Sequence, residues 1–210
     1  MQTLIEGKGE KSILFEFPVE WEILKYDEPE GFYKNSVIKC QNTKAIDFLI
    51  IENQRQLWIE VKNFRGANEE NRMRLDPNEK NVPGLLTSRE FVETNFSKEQ
   101  ILVSRKKPYL ADEVTQKVRD TCAGLIGAFL QDMSEFLPFS TALHNKLPIH
   151  VILFLQQDEE HDKADDFKRM AQRLAEKIKQ QLVFLNVSVE VVNQFTLSPN
   201  AQWRISGNNP

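Results

Sequence analysis

The sequence predicts a single α/β domain whose mixed central sheet is flanked by helices, and three observations lead there. Two apolar runs, 45–51 and 57–62, lie on either side of the polar stretch Glu52-Asn53-Gln54-Arg55-Gln56 and read as a β-hairpin. Residues 111–131 carry a helical stripe. The last third alternates strand, helix and strand, which implies a right-handed crossover and parallel neighbours.

Taken in order, 12–18 reads as a strand stopped by Pro18, and 21–26 as a second strand or a short helix, the strand being favoured. Residues 31–40 are expected to pair into the same sheet. After the hairpin comes a long polar insertion, 64–110, with turn signals at Asp76-Pro77-Asn78 and Val82-Pro83-Gly84 and one short helix near 88–94. The helix that follows, starting at Ala111 or Asp112, has Asp112 as its expected cap. Val114, Val118, Leu125 and Phe129 form its buried stripe, with Gly124 and Gly127 permitting close approach to the sheet. On a neighbouring ridge Glu113, Lys117, Asp120 and Thr121 recur three or four apart and share one surface. Residues 148–155 suit a central strand, 162–182 an amphipathic helix with the stripe Phe167, Met170, Leu174 and Ile178, and 187–192 a further strand. The domain is expected over 1–197. Beyond it, 198–210 offers only Trp203 and Ile205 for packing and reads as a fraying tail.

Composition narrows the class of protein. With 40% hydrophobic and 28% charged residues in 210, the chain resembles an ordinary globular protein. No apolar stretch is long enough for a membrane span, and Met1-Gln2-Thr3-Leu4-Ile5-Glu6 lacks the basic and apolar regions of a leader, so a cytoplasmic location is expected. Cys40 and Cys122 give neither a disulfide framework nor zinc spacing, and His144, His150 and His161 are scattered as surface or strand-edge residues. The net charge of -4 argues against a broad basic footprint, so any nucleic-acid face must be local.

Charge within the hairpin carries the functional reading. Glu60 and Lys62 are two apart and project from one face of the second strand, while Asp47 on the first strand can approach Glu60. Two buried carboxylates repel and are costly to desolvate unless a cation compensates. A hard divalent ion with a few oxygen ligands meets that need. Glu6-Gly7-Lys8 and Asp166-Phe167-Lys168 repeat the acid-x-Lys spacing, the first in a Gly-containing charged stretch and the second on a helix. Neither is expected to have a strand context, and only Glu60-Val61-Lys62 follows an apolar hairpin carrying an upstream Asp.

Asp47 followed by Glu60-Val61-Lys62 resembles the PD-(D/E)XK nuclease superfamily, also called restriction-endonuclease-like or Holliday-junction-resolvase-like, over residues 13–66. Ile46 stands where many members have Pro. The resemblance implies a restriction-endonuclease-like core and a Mg²⁺-dependent endonuclease acting on DNA, with Mn²⁺ able to substitute. In it Asp47, Glu60 and the Val61 carbonyl hold the metal, and Lys62 serves the attacking water or the transition state. Lys117 or Gln116 fills the place of a polar residue on the following helix. Asp27 is the candidate third acid, in competition with Glu16 and Glu22 and with a turn-capping role. Arg65, Arg105, Lys106 and Lys107 are the candidates for DNA contact, and Arg72, Arg74 and Arg89 lie in the same insertion. Four alternatives stay open: a solvated cross-strand ion pair in place of the metal site, a solvated flexible loop in place of a DNA-gripping insertion, a solvent-side pair between Glu113 and Lys117, and an inactive scaffold or interaction protein in a nucleic-acid-processing or defence complex. A homodimer or a partner protein is compatible with each.

Overall fold

Eight strands form two sheets in the computed structural model, which describes residues 1–28, 31–39, 42–96, 101–163 and 165–207. The main sheet has five strands in the order β3 (Glu22–Lys25), β4 (Phe48–Glu52), β5 (Arg55–Asn63), β6 (Ile149–Gln156) and β7 (Val187–Val192). The first three run antiparallel, and β6 and β7 continue parallel to β5. The fold is therefore mixed α/β. Asn53, at φ 52°, turns the hairpin between β4 and β5 in the left-handed region that Asn tolerates.

Both faces of the hairpin are buried, so its strands read as continuous apolar runs. On one face Leu49, Trp58, Val151, Leu153 and Leu155 meet helices α4 (Leu110–Leu130) and α7 (Asp165–Gln181). These contribute Val114, Val118 and Leu125 from α4 and the expected stripe Phe167, Met170, Leu174 and Ile178 from α7. On the other face Phe48, Ile50, Leu57, Ile59, Ile152 and Phe154 pack on a second core with Phe15, Phe17 and Trp203. A side chain of that size, fully buried, contributes about 1.5–3 kcal/mol. That second core is covered by a three-stranded sheet, β1 (Gln2–Glu6), β2 (Ile13–Phe17) and β8 (Arg204–Gly207), with β2 in the middle.

Several sequence expectations are corrected. Residues 31–39 form no strand; Phe32–Asn35 is a short helix, α1, followed by a 3-10 turn at Val37–Lys39, and Cys40 lies outside the described residues. Adjacent Phe32 and Tyr33 are both buried, which an alternating strand on one core face does not allow. The segment after Ser198 supplies β8, whose partner is β2, and residues 208–210 lie outside the described residues. Glu6 closes β1, so its acid-x-Lys spacing does have a strand beside it. The insertion holds α2 (Asn68–Arg72), a 3-10 turn at Glu79–Asn81 and α3 (Leu85–Asn95), the last where a short helix was expected. Asp112 lies in the first turn of α4 rather than capping it, and accepts a hydrogen bond from Gln181 at 2.7 Å. Helix α5 (Leu137–His144) follows α4, and Asp162 ends a separate short helix, α6 (Glu159–Asp162). Among the described residues no helix is long and apolar enough to cross a membrane.

Candidate functional site

The site forms where β4 stops short of β5. Their ladder begins at Phe48 opposite Ile59, while β5 runs on to Asn63 with β6 beside it. The amides of Gln56 and Phe64 donate toward β6, to Pro148 and Gln156, so the odd residues of β5 turn their backbone groups the other way. Val61 therefore presents its N–H and C=O to the side that β4 has vacated. Asp47 fills the gap with its carboxylate: Oδ2 accepts from the Val61 amide at 2.7 Å. Continuing the register places Asp47 opposite Glu60 on the face that carries Leu49 and Trp58. That face looks onto α4.

Helix α4 supplies the rest. Lys117 Nζ lies 2.6 and 2.7 Å from the two oxygens of Glu60 and 3.2 Å from Asp47 Oδ1, so one ammonium bridges both carboxylates. Lys62 Nζ lies 2.8 Å from Glu60 Oε1 and 2.9 Å from Glu113 Oε1, and the other oxygen of Glu113 accepts from Arg74 at 2.6 Å. Three carboxylates thus face three cations, with Glu60 fully buried and Asp47 4% exposed. The ridge read from the sequence is real and faces inward. Asp120 accepts from the Lys44 amide and Thr121 from the Ile46 amide, which docks the segment leading into Asp47.

Electrostatics differ along this chain of charges. Burial, reinforced by the neighbouring Glu60 charge, lifts Asp47 to about 8, even though Lys117 and the Val61 amide act to lower it. Burial would lower Lys62 and Lys117, but Glu60 acts on both, joined by Glu113 for Lys62 and Asp47 for Lys117, and the net shift of each is upward. Glu113 is held down at about 2: burial opposes its charge, and Lys62 and Arg74 outweigh it. The two lysines are therefore firmly cationic, and Asp47 is the group that titrates near neutrality.

Other expected members lie apart. Gln116 donates to the Asn42 carbonyl at 2.6 Å on the exposed side of α4, and Phe129 is 41% exposed, stacked on His144. Glu113 and Lys117 do not form the solvent-side pair, since each bonds toward β5. Glu16 accepts from Ser206, and Glu22 is exposed on β3. Asp27 follows β3, in the turn entered when the Tyr26 amide donates to the Asp47 carbonyl, and its Oδ1 is buried without a hydrogen-bond partner. Burial and the charge of Glu6 raise its pKa, while Lys117 attracts its ionised form. No group of three or more His, Cys, Asp or Glu suited to one metal ion occurs among the described residues, so Asp27 stands beside the Asp47–Glu60 pair rather than within it.

Of the cationic candidates, Arg105 is spent internally, donating to the carbonyls of Met73, Asp76 and Pro77. Lys106 and Lys107 are exposed, and Lys107 reaches Asn71 at 3.5 Å; Arg65 is half-buried. Arg89 is tied to Glu79 and Arg72 is exposed. Sequence reasoning missed Glu113 and Arg74 as parts of the centre. The inward ridge of α4 was the available signal for Glu113, whereas Arg74 lies 39 positions upstream of its partner. A cavity of about 930 Å³ between α2 and α7 is lined by Arg72, Leu75, Phe167, Met170 and Arg173 and does not contain the cluster. The profile of a family of unknown function (DUF6661) matches residues 30–207, a span that includes Asp47, Glu60, Lys62, Glu113 and Lys117. No curated protein and no solved structure matches the chain.

Proposed function

We propose that this chain, which belongs to the DUF6661 family of unknown function, is a divalent-cation-dependent phosphodiesterase acting on DNA, built on a restriction-endonuclease-like core. One observation carries the reading: three carboxylate oxygens from adjacent strands converge on a single cation, the Lys117 ammonium, at 2.6–3.2 Å. Convergence of that kind marks a seat for positive charge. The donor set fits a hard ion, because Asp47 and Glu60 offer oxygens and the Val61 carbonyl faces the same gap. The arrangement agrees with the resemblance to PD-(D/E)XK nucleases in having the Asp at one strand, Glu-x-Lys on the next and a polar side chain from the following helix.

In this reading Asp47 and Glu60 hold Mg²⁺ or Mn²⁺ with help from Val61. When bound, the ion supplies an activated water and a counter-charge for the phosphate. Lys62 is already charged and is clamped between Glu60 and Glu113. It therefore acts by stabilising negative charge on the transition state, not as the base that takes a proton from water. Glu113 positions Lys62, and Arg74 anchors Glu113 to the insertion.

Metal-dependent nicking of supercoiled DNA tests the proposal. Lys62→Ala and Glu60→Gln are each expected to cut the rate by at least two to three orders of magnitude, the scale seen when one transition-state donor is removed, while circular dichroism stays native. Wild-type rates in both variants would refute the assignment. A second reading, an inactive scaffold, is favoured by the match of three carboxylates to three cations with no ion added. It expects no nicking and no binding of Mn²⁺ by calorimetry.

A further inference from the structure

Lys117 contacts the same oxygens that a bound cation would use. Its ammonium takes both oxygens of Glu60 and one of Asp47, and the remaining oxygen of Asp47 is held by the Val61 amide. Every carboxylate oxygen of the pair has an ammonium or an amide within 3.2 Å while Lys117 stays in place. A second observation lies next to it. Asp27 carries a buried, unpartnered oxygen and feels the attraction of Lys117, yet it is not grouped with Asp47 and Glu60 as a common metal set. A lysine ammonium is a point charge on a flexible four-carbon stem, and helix α4 fixes only its root.

We infer that Lys117 is an exchangeable occupant of the cation seat, which a divalent ion displaces, and that Asp27 is the partner that receives the displaced ammonium. This rests on the cation-site reading given above. The exchange gives the ion Asp47 and Glu60 and moves Lys117 to Asp27, a neighbouring carboxylate whose buried Oδ1 makes no hydrogen bond. It also assigns Asp27 a role different from that of a third metal ligand. Lys117 sets the affinity of the site, because the ion must bind strongly enough to break contacts at 2.6–3.2 Å.

Calorimetric Mn²⁺ titration of four proteins tests this: wild type, Lys117→Met, Asp27→Asn and the double variant. Removing the competitor is expected to tighten Mn²⁺ binding by about tenfold or more, as expected when the binding-competent state no longer has to be populated at a cost. Asp27→Asn is expected to weaken binding when Lys117 is present and to have no effect in the Lys117→Met background, a coupling that a double-mutant cycle isolates. Equal weakening in both backgrounds makes Asp27 a ligand and overturns its role as receiver. If wild type and Lys117→Met bind Mn²⁺ equally, the exchange is refuted and the metal site survives. If neither binds, the metal reading falls and the exchange with it. Should Lys117→Met fail to fold, amine acetylation of the wild type read by mass spectrometry decides. Lys117 is expected to label several-fold faster in millimolar Mn²⁺ than in EDTA, and unchanged labelling overturns the exchange.

Discussion

Asp47 is the residue with the most to report, because its carboxyl is raised to about 8 by burial first and by Glu60 second. An unfolded Asp titrates near 4. Between about pH 4 and pH 8 the folded chain therefore keeps a proton that the unfolded chain has lost. The corresponding stability is full below about pH 4, declines as pH rises, and is gone above about pH 8, with a slope of at most about 1.4 kcal/mol per pH unit. Glu113 has the opposite sign and a lower window, its contribution falling away as pH drops from its ordinary range toward about 2. His150, lowered by burial, also opposes the Asp47 trend near its ordinary range. The difference between wild type and Asp47→Asn isolates one group from the others. Calorimetry of the metal-free proteins from pH 5 to 8 should show wild type losing melting temperature faster than Asp47→Asn, and parallel curves would contradict the raised carboxyl. At this scale the sequence was informative wherever partners were close in the chain. Asp47, Glu60 and Lys62 share one hairpin, so period and turn sufficed to bring them together. Glu113 and Arg74 depend on how α4 and the insertion settle over that hairpin, and local pattern carries no such information.

Helix α4 shows what an element adds. Gly124 lets it close on Tyr26: a Cβ there would lie 2.1 Å from the Tyr26 hydroxyl. That hydroxyl is buried with no hydrogen-bond partner. Gly124→Ala gains about 1 kcal/mol of helix propensity yet is expected to destabilise overall by about 1–3 kcal/mol, because a well-packed buried ring must shift. Tyr26→Phe removes the obstructing atom, so the double variant should regain most of the stability in denaturant titration; no recovery would mean the clash lies elsewhere. Gly127 has open space around it, and Gly124 approaches Tyr26 and Val37 rather than a strand of the sheet. Periodicity placed Phe129 on the stripe, but the end of α4 extends past its cover and leaves the ring exposed. In 31–39 the misreading has a similar origin. Phe32 packs on Phe136, a partner no local window contains, and Tyr33 on Tyr26.

Across the whole molecule, the central sheet and its helices were legible because β5, β6, α7 and β7 are strongly patterned runs. The second sheet was not, since β2 and β8 pair over a separation of about 190 residues. Surface charge is likewise settled only by the assembled fold. Arg105, Lys106 and Lys107 look alike in sequence, but Arg105 staples the 73–77 turn while Lys106 and Lys107 face solvent. Arg105→Glu is thus expected to lower the melting temperature. Lys106→Glu with Lys107→Glu should leave it unchanged while reducing the salt dependence of DNA binding, by roughly 0.9 in slope for each phosphate no longer neutralised. An unaltered slope would route DNA over another face.

The bond from the Val61 amide to the Asp47 carboxylate has a further consequence. A main-chain proton that an ordinary ladder would hand to a neighbouring backbone carbonyl ends here on an ionisable group, at 2.7 Å. Its resonance in a nitrogen-15 spectrum should move with protonation of Asp47 and with any ion that claims that oxygen. One peak, from a residue with an apolar side chain, would then serve as a gauge of the occupancy of the entire centre, readable without a substrate in hand.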